Sequence, residues 1–423
     1  MVNDLPADPT TPITDLTRTS YQASLSLAAA KGSDRNQAIQ AMAVALKNAT
    51  ADILEANTLD LESSREMAVP ELIVEWLKLT PERLQNAIQL LQRLAQLSDP
   101  TLRAIDSPYH FDRSITYCQR MPLGVIALIY EAFPELGAIA AGFCLKTGNS
   151  LILRGGSEAS HSNAVIYEVL QTALEDAGLP SASVTAIYPE RGFSIQELVT
   201  QDRYLNLIIP YGRPTLVNKV IASATAPVLK SAMGNCYLYW SETGDLDLAR
   251  GIIIDSHASE PDPVNAVEKV LVSRRQKPTL ILRLLSSLQE QGFELRGDPE
   301  FVAEYPDRIL PAQTQEWQTA YLKRTVAFRY VEDIDNAIAW INQYSSGHAD
   351  CLVTESYGEG RQFDQRLDSA IAYINASPRF ERNPKQGDAV FLGMSNQKGY
   401  RRGLVGLATL TTLKQVVQGD RRF

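Results

Sequence analysis

An α/β fold is predicted by three features of the sequence. From about residue 115, short apolar runs alternate with helical segments, the texture of a parallel sheet flanked by helices. The same alternation returns between about 256 and 375. Ahead of both, residues 21–98 carry apolar side chains at three- and four-residue spacing, which marks amphipathic helices.

The elements follow in order. Residues 1–20, rich in Pro, Thr and Asp, read as a flexible lead-in. Thr80-Pro81-Glu82 starts a helix, with Thr at the cap and Pro in the first turn, and Ser98-Asp99-Pro100 ends it. GVIALIYEAF reads as a buried strand, LGAIAAGFCLKTG as a helix, and SLILRGG as a second strand ending in two glycines. A helix runs from about Ala159 to Ala177, closed by Gly178 and Pro180, and SVTAIYP and LNLIIPYG are further strands. In the second block NAVEKVLV is expected as a helix, TLILRL as a strand, DIDNAIAWINQY as a helix, and CLVT and AIAYIN as strands. ATLTTLKQVV near the C-terminus is expected as an edge strand.

Composition narrows the function classes. The chain has 423 residues, 45% hydrophobic and 21% charged, which is ordinary for a globular protein with substantial cores. A net charge of −9 argues against nucleic acid. There is no apolar run of membrane-spanning length and no signal peptide, so a cytoplasmic location is expected. Cys118, Cys144, Cys236 and Cys351 are far apart, as are His110, His161, His257 and His348, so neither a metal site nor a disulfide framework is expected.

The segment MPLGVIALIYEAFPELGAIAAGFCLKTGNSLILRGGSE resembles the cofactor-domain core of γ-glutamyl phosphate reductase, a member of the aldehyde dehydrogenase superfamily. LKNATADILEANTLDL, LKLTPERLQNAIQLLQRLAQLSDP, LNLIIPYG, HADCLVT, AIAYINASPRF and GLVGLATLTTLK resemble other landmarks of that family, in the same order, from about residue 24 to 414. The resemblance implies an aldehyde-dehydrogenase-like fold, with a Rossmann-type cofactor domain, an α/β catalytic domain and a small oligomerisation element. The expected division is a lead-in at 1–20, helices and cofactor domain at 21–254, catalytic domain at 255–376, and a return to the cofactor domain with an oligomerisation tail at 377–423. It also implies NADPH-dependent reduction of L-glutamyl 5-phosphate to glutamate 5-semialdehyde.

That chemistry needs a thiolate, an oxyanion donor, a held nicotinamide and cations for the substrate. The family's Pro-x-x-Cys-Asn segment reads here Pro261-Asp262-Pro263-Val264-Asn265, so Val264 stands at the nucleophile position. The cations expected upstream are replaced by His257 and Glu260, with Asp262 added. The family's oxyanion-donating Asn after Tyr-Glu-Ala aligns with Glu135, an acceptor when ionised. Arg154, Gly155 and Gly156 survive at a strand end, where glycines admit a phosphate or ribose and the arginine pairs with a phosphate. A tight turn explains these three about as well. In the family's Arg-Gly-Gly turn, Gly212 is kept, but Tyr211 and Arg213 flank it. The family's ribose-holding acid aligns with Ala320, and a later Glu aligns with Phe391.

Two readings follow from the sequence. The first is a non-catalytic paralogue that binds a protein or a metabolite, as a homo-oligomer or mixed oligomer. The second is an enzyme still: an NADPH-dependent reductase working by direct hydride transfer, or altered chemistry with Glu135, His257, Glu260 and Asp262 as acid/base groups. NADP is implied by the resemblance, and the changes at Arg213, Ala320 and Phe391 argue against its retention.

Overall fold

The computed structural model describes residues 12–102, 104–107, 114–189, 192–258, 263–398 and 402–419. They form two compact units, the first made of residues 1–230, 382–392 and 405–423, the second of 231–381 and 393–404. The division falls at 230/231 and not at the expected 254/255. The segment between those positions carries a strand and a helix that complete the second unit's sheet and core.

Unit 1 begins with five helices: α1 (Ile13–Ala29), α2 (Gly32–Asn48), α3 (Thr50–Glu66), α4 (Glu71–Leu77) and α5 (Pro81–Gln96). Helix α1 starts inside the expected lead-in because Ile13, Leu16, Thr17 and Ser20 form a buried face. Residues 1–11 lie outside the described residues. Thr80 caps α5, its side chain accepting from Arg83 N at 3.2 Å, with Pro81 in the first turn. Strands β1 (Ala104–Asp106) and β2 (Ser114–Pro122) follow. Then comes the alternating run β3 (Val125–Tyr130), α6 (Pro134–Thr147), β4 (Ser150–Gly155), α7 (Ser160–Asp176), β5 (Val184–Ala186), α8 (Ile195–Val199), β6 (Leu205–Tyr211) and α9 (Pro214–Ser223). Its four strands are parallel, in the order β5-β4-β3-β6. β3 is buried along its whole length, as a central parallel strand must be.

Unit 2 contains β7 (Cys236–Trp240), α10 (Leu246–Ser256), β8 (Val267–Ser273), α11 (Pro278–Glu290), β9 (Glu294–Gly297), α12 (Pro299–Glu304), β10 (Leu310–Pro311), β11 (Thr325–Val331), α13 (Ile334–Tyr344), β12 (Ala349–Val353), α14 (Tyr357–Arg366) and β13 (Ile371–Ile374). Its seven parallel strands run in the order β10-β9-β11-β8-β7-β12-β13. Two sequence expectations are reversed here. NAVEKVLV is not a helix: its core forms β8, buried at every position between β7 and β11. TLILRL is not a strand: it lies in α11, with Pro278 in the first turn and Ile281, Leu284, Leu285 and Leu288 on one buried face. Two short strands, β14 (Gly393–Ser395) and β15 (Gly403–Val405), pair with each other.

The last strand, β16 (Thr411–Gly419), belongs to unit 1. It pairs antiparallel with β2 at the edge of a three-stranded sheet, β1-β2-β16. No described helix is long and apolar enough to cross a membrane.

Candidate active site

In unit 1, the carboxyl ends of β3 and β6 meet at a topological switch point, since β4 and β5 extend from one side of β3 and β6 lies on the other. Ligands of open α/β sheets bind outside such a point. The turn after β3 is strained: Ala132 is buried with φ +48°. Its N–H donates to Glu158 Oε1 at 2.8 Å. Burial raises the Glu158 carboxyl above its ordinary range.

Glu131 ties the two strand ends together. Its N–H donates to the Tyr211 carbonyl at 3.1 Å, and its carboxylate accepts from Arg213 N and Nη2, each at 2.8 Å. Gly212 between them has φ +147°, and a Cβ there would stand 2.7 Å from Glu131 Oε2, so glycine is required. Arg213 therefore sits at the switch point, and it is paired.

Glu135 is corrected by the structure. It does not face the site as a lone carboxylate, because Arg83 donates to it from Nη2, at 2.6 Å to Oε1 and 2.8 Å to Oε2, and from Nε, at 3.1 Å to Oε1. Arg83, which the sequence reading passed over, is held by the carbonyls of Trp76 and Lys78. The Trp76 and Phe133 rings stack at 4.8 Å and Phe133 meets Tyr211 edge-on at 5.6 Å. Arg382 Nη2 donates to the Tyr211 hydroxyl at 2.7 Å. Phe391 is half-buried, its N–H donating to the Arg382 carbonyl at 2.9 Å.

The β4 end keeps its glycines because side chains press on them, Asn163 against Gly155 and Glu158 against Gly156. Arg154 Nη1 donates to the Gly155 carbonyl at 2.5 Å. A cleft of about 310 Å³ lies here, lined by Tyr130, Gly155, Gly156, Asn163, Tyr167 and Tyr188 among others. Much of that volume is open, and the interior has room for little more than a water molecule. The strand order and glycine pair are those of a nucleotide-type switch point. The side chains of Asn163, Glu158 and Arg213 are folded over the place.

In unit 2, Val264 is fully buried. Its carbonyl accepts from Gly234 N at 3.0 Å and from His348 Nε2 at 2.7 Å. Cys236 Sγ lies 3.3 Å from the same Nε2. This thiol is no substitute nucleophile. Nε2 carries the proton it gives to the Val264 carbonyl, so it has no lone pair to take another. Burial pushes the Cys236 thiol well above its ordinary value and lowers His348 to about 4. The four cysteines are free and buried, and no described group of His, Cys, Asp and Glu could hold a metal.

Glu268 is fully buried and accepts from the N–H groups of Asn235 (2.9 Å), Tyr321 (2.8 Å) and Leu322 (2.7 Å). Asn235 and Leu322 both have positive φ, so this carboxylate fixes two strained turns. A carboxylate within an otherwise apolar strand segment was the available signal. Lys269 beside it is buried over the Tyr321 ring at 3.6 Å, and desolvation lowers its pKa to about 8.

Ala320 lies opposite Gly234, where an added Cβ would stand 2.9 Å from its methyl. The nearby acid, Glu316, is taken up by Arg296 (2.6 and 2.7 Å) and the Tyr321 hydroxyl (2.8 Å). His257 is not the loop base considered from the sequence. It is buried at the end of α10, with Nε2 donating to the Val267 carbonyl at 2.9 Å, and burial lowers its pKa. With Glu135 and His257 both engaged internally, a new acid/base cluster containing them is not formed. His110, Glu260 and Asp262 lie outside the described residues.

Two α/β units, one with a nucleotide-type switch point, define the aldehyde-dehydrogenase class of fold. Comparison with known proteins agrees: the sequence profile of the aldehyde dehydrogenase family matches residues 4–289. The chain is 57% identical to γ-glutamyl phosphate reductase 2 of Synechocystis sp. over 391 residues, covering 92% of this chain and 93% of that protein. It is 39% identical to the γ-glutamyl phosphate reductase of Gloeobacter violaceus, covering 94% and 95%. The crystal structure of γ-glutamyl phosphate reductase from Thermotoga maritima superposes with a TM-score of 0.88 at 33% identity, covering 98% of this chain and all of that one. The chain belongs to the γ-glutamyl phosphate reductases of the aldehyde dehydrogenase superfamily.

Proposed function

We propose that this chain is a reductase of L-glutamyl 5-phosphate, forming glutamate 5-semialdehyde with a nicotinamide cofactor, NADPH by resemblance. The observation that carries this reading is 57% identity over nearly the whole length of a protein named for that reaction. Val264 restricts the route. No thioester forms at that position, and the buried thiols elsewhere do not replace it. A reduced nicotinamide, when bound, would supply hydride to the acyl carbon, with phosphate as the leaving group and no covalent enzyme adduct. The chain's part is to position: the Gly155–Gly156 backbone for the nucleotide, and the buried Val264 turn, fixed by His348, on the catalytic unit.

The test is NADP-dependent oxidation of glutamate 5-semialdehyde in phosphate. Turnover at an enzyme's ordinary rate, about 1–10³ s⁻¹, with no acyl adduct by mass spectrometry, supports the reading. An adduct at any cysteine refutes the direct route. No turnover, with NADPH still bound, refutes the reductase.

One observation favours a second reading: the side chains at three chemistry positions are turned inward, as Val264, the Glu135–Arg83 pair and the Arg213–Glu131 pair. On this reading the chain is a non-catalytic paralogue acting through a protein or metabolite. Absence of NADPH binding at millimolar concentration decides for it.

On either reading the chain works in the cytoplasm, as four unpaired cysteines accord with, and as an oligomer. The β1-β2-β16 sheet exposes Leu413 and Val417 on one face and Ile115 and Met121 on the other, apolar side chains available to another subunit. Light scattering of wild type and Leu413→Asp tests this: a monomeric wild type rules it out.

A further inference from the structure

Arg213 stands at the turn after β6, where the family resemblance implies glycine. Its guanidinium and its backbone N–H converge on the single carboxylate of Glu131. The pair lies at the switch point between β3 and β6, beside the half-buried Glu158. Arg213 interacts electrostatically with both carboxylates. Its side chain is 36% exposed, so it can swing out without opening the core.

A dinucleotide's diphosphate brought to this point meets two carboxylates and this guanidinium. Without Arg213 it is repelled. With Arg213 it competes with Glu131, because a guanidinium binds phosphate oxygens bidentately and a diphosphate carries more charge than one carboxylate. We propose that Arg213 exchanges partners: latched to Glu131 in the free chain, it binds the diphosphate when a nicotinamide dinucleotide is held. The proposal rests on the nucleotide-binding part of the reading above.

The test is calorimetric titration of the full chain with NADPH, for wild type, Arg213→Ala and Glu131→Gln, at low and high salt. Arg213→Ala is expected to weaken binding about tenfold and to flatten its salt dependence. Glu131→Gln, which keeps an acceptor for Arg213 N–H but removes the competing charge, is expected to tighten it severalfold. Thermal melts of each variant alone separate misfolding from lost affinity. If Arg213 is only a plug, Arg213→Ala tightens binding, and the exchange is overturned. Wild-type binding that neither substitution alters also overturns it, leaving the nucleotide reading intact. If no form binds NADPH, the nucleotide reading falls and the exchange with it.

Discussion

Arg83 and Glu135 form a nearly buried, two-pronged ion pair joining α5 to the first turn of α6, with side chains 10% and 8% exposed. Glu135 stands where the family resemblance implies an amide donor. It also places a carboxylate at a helix N-terminus, where the macrodipole favours it.

Breaking one half strands the other. Arg83→Met is expected to destabilise the chain by about 3–5 kcal/mol, because a buried carboxylate loses its partner. Glu135→Asn restores the family's amide yet leaves the guanidinium unpaired, so it also destabilises. The Arg83→Met/Glu135→Asn double variant recovers much of the loss. Urea midpoints of the four proteins measure the coupling, and additive losses would show that the pair is not coupled.

Thiol reagents should spare the native protein. Cys118, Cys144, Cys236 and Cys351 are all free and buried. Iodoacetamide at neutral pH is expected to leave both NADPH affinity and any turnover unchanged. Mass spectrometry should find no carbamidomethyl group until the protein is unfolded. Rapid loss of turnover with one modified cysteine would contradict the burial described here.

Acid stability contains two opposed contributions. Burial lowers His348 from 6.5 to about 4, so its contribution is fully present above pH 6.5 and is lost as pH falls toward 4. Its size is on the order of 3 kcal/mol. Burial raises Asp350 from 3.8 to about 6, so its contribution is present below pH 3.8 and is lost as pH rises through 6. Between pH 6 and 4 the two oppose each other. Asp350→Asn removes the compensating half, so the variant is expected to lose stability more steeply than wild type on going from pH 7 to 4.5. Equal slopes in denaturant titrations would refute this assignment.

Gly212 is fixed by geometry. Its φ of +147° and the 2.7 Å approach of Glu131 Oε2 to an added Cβ make Gly212→Ala strained and clashing. A cost of about 1–3 kcal/mol is expected, with a lower melting temperature as the readout. Gly178→Ala has open space around its Cβ and suffers only from its φ of +71°, so it serves as the milder control.

Much of the α/β framework was legible because periodicity reports burial. The runs of β3, β4 and β6 and the glycines closing β4 were placed from apolar alternation and turn residues alone. Periodicity failed at β8 and α11, where short apolar segments fit either element. There, the position between two other strands and a proline in the first turn decided. Only the start of α1, within the expected lead-in, escaped the periodicity, because its buried face there includes Thr17 and Ser20.

The sequence by itself determined the family, through ordered similarity along the chain, and set Val264 where the resemblance implies a cysteine. It also marked Glu135, Arg213 and Ala320 as departures. Only the tertiary structure decided what those residues do. Glu135 meets Arg83 and Arg213 meets Glu131 across separations of 52 and 82 residues, and His348 reaches the Val264 carbonyl from 84 away. A side chain's charge is written in the sequence, but whether it faces a ligand or an internal partner depends on distances that only folding sets.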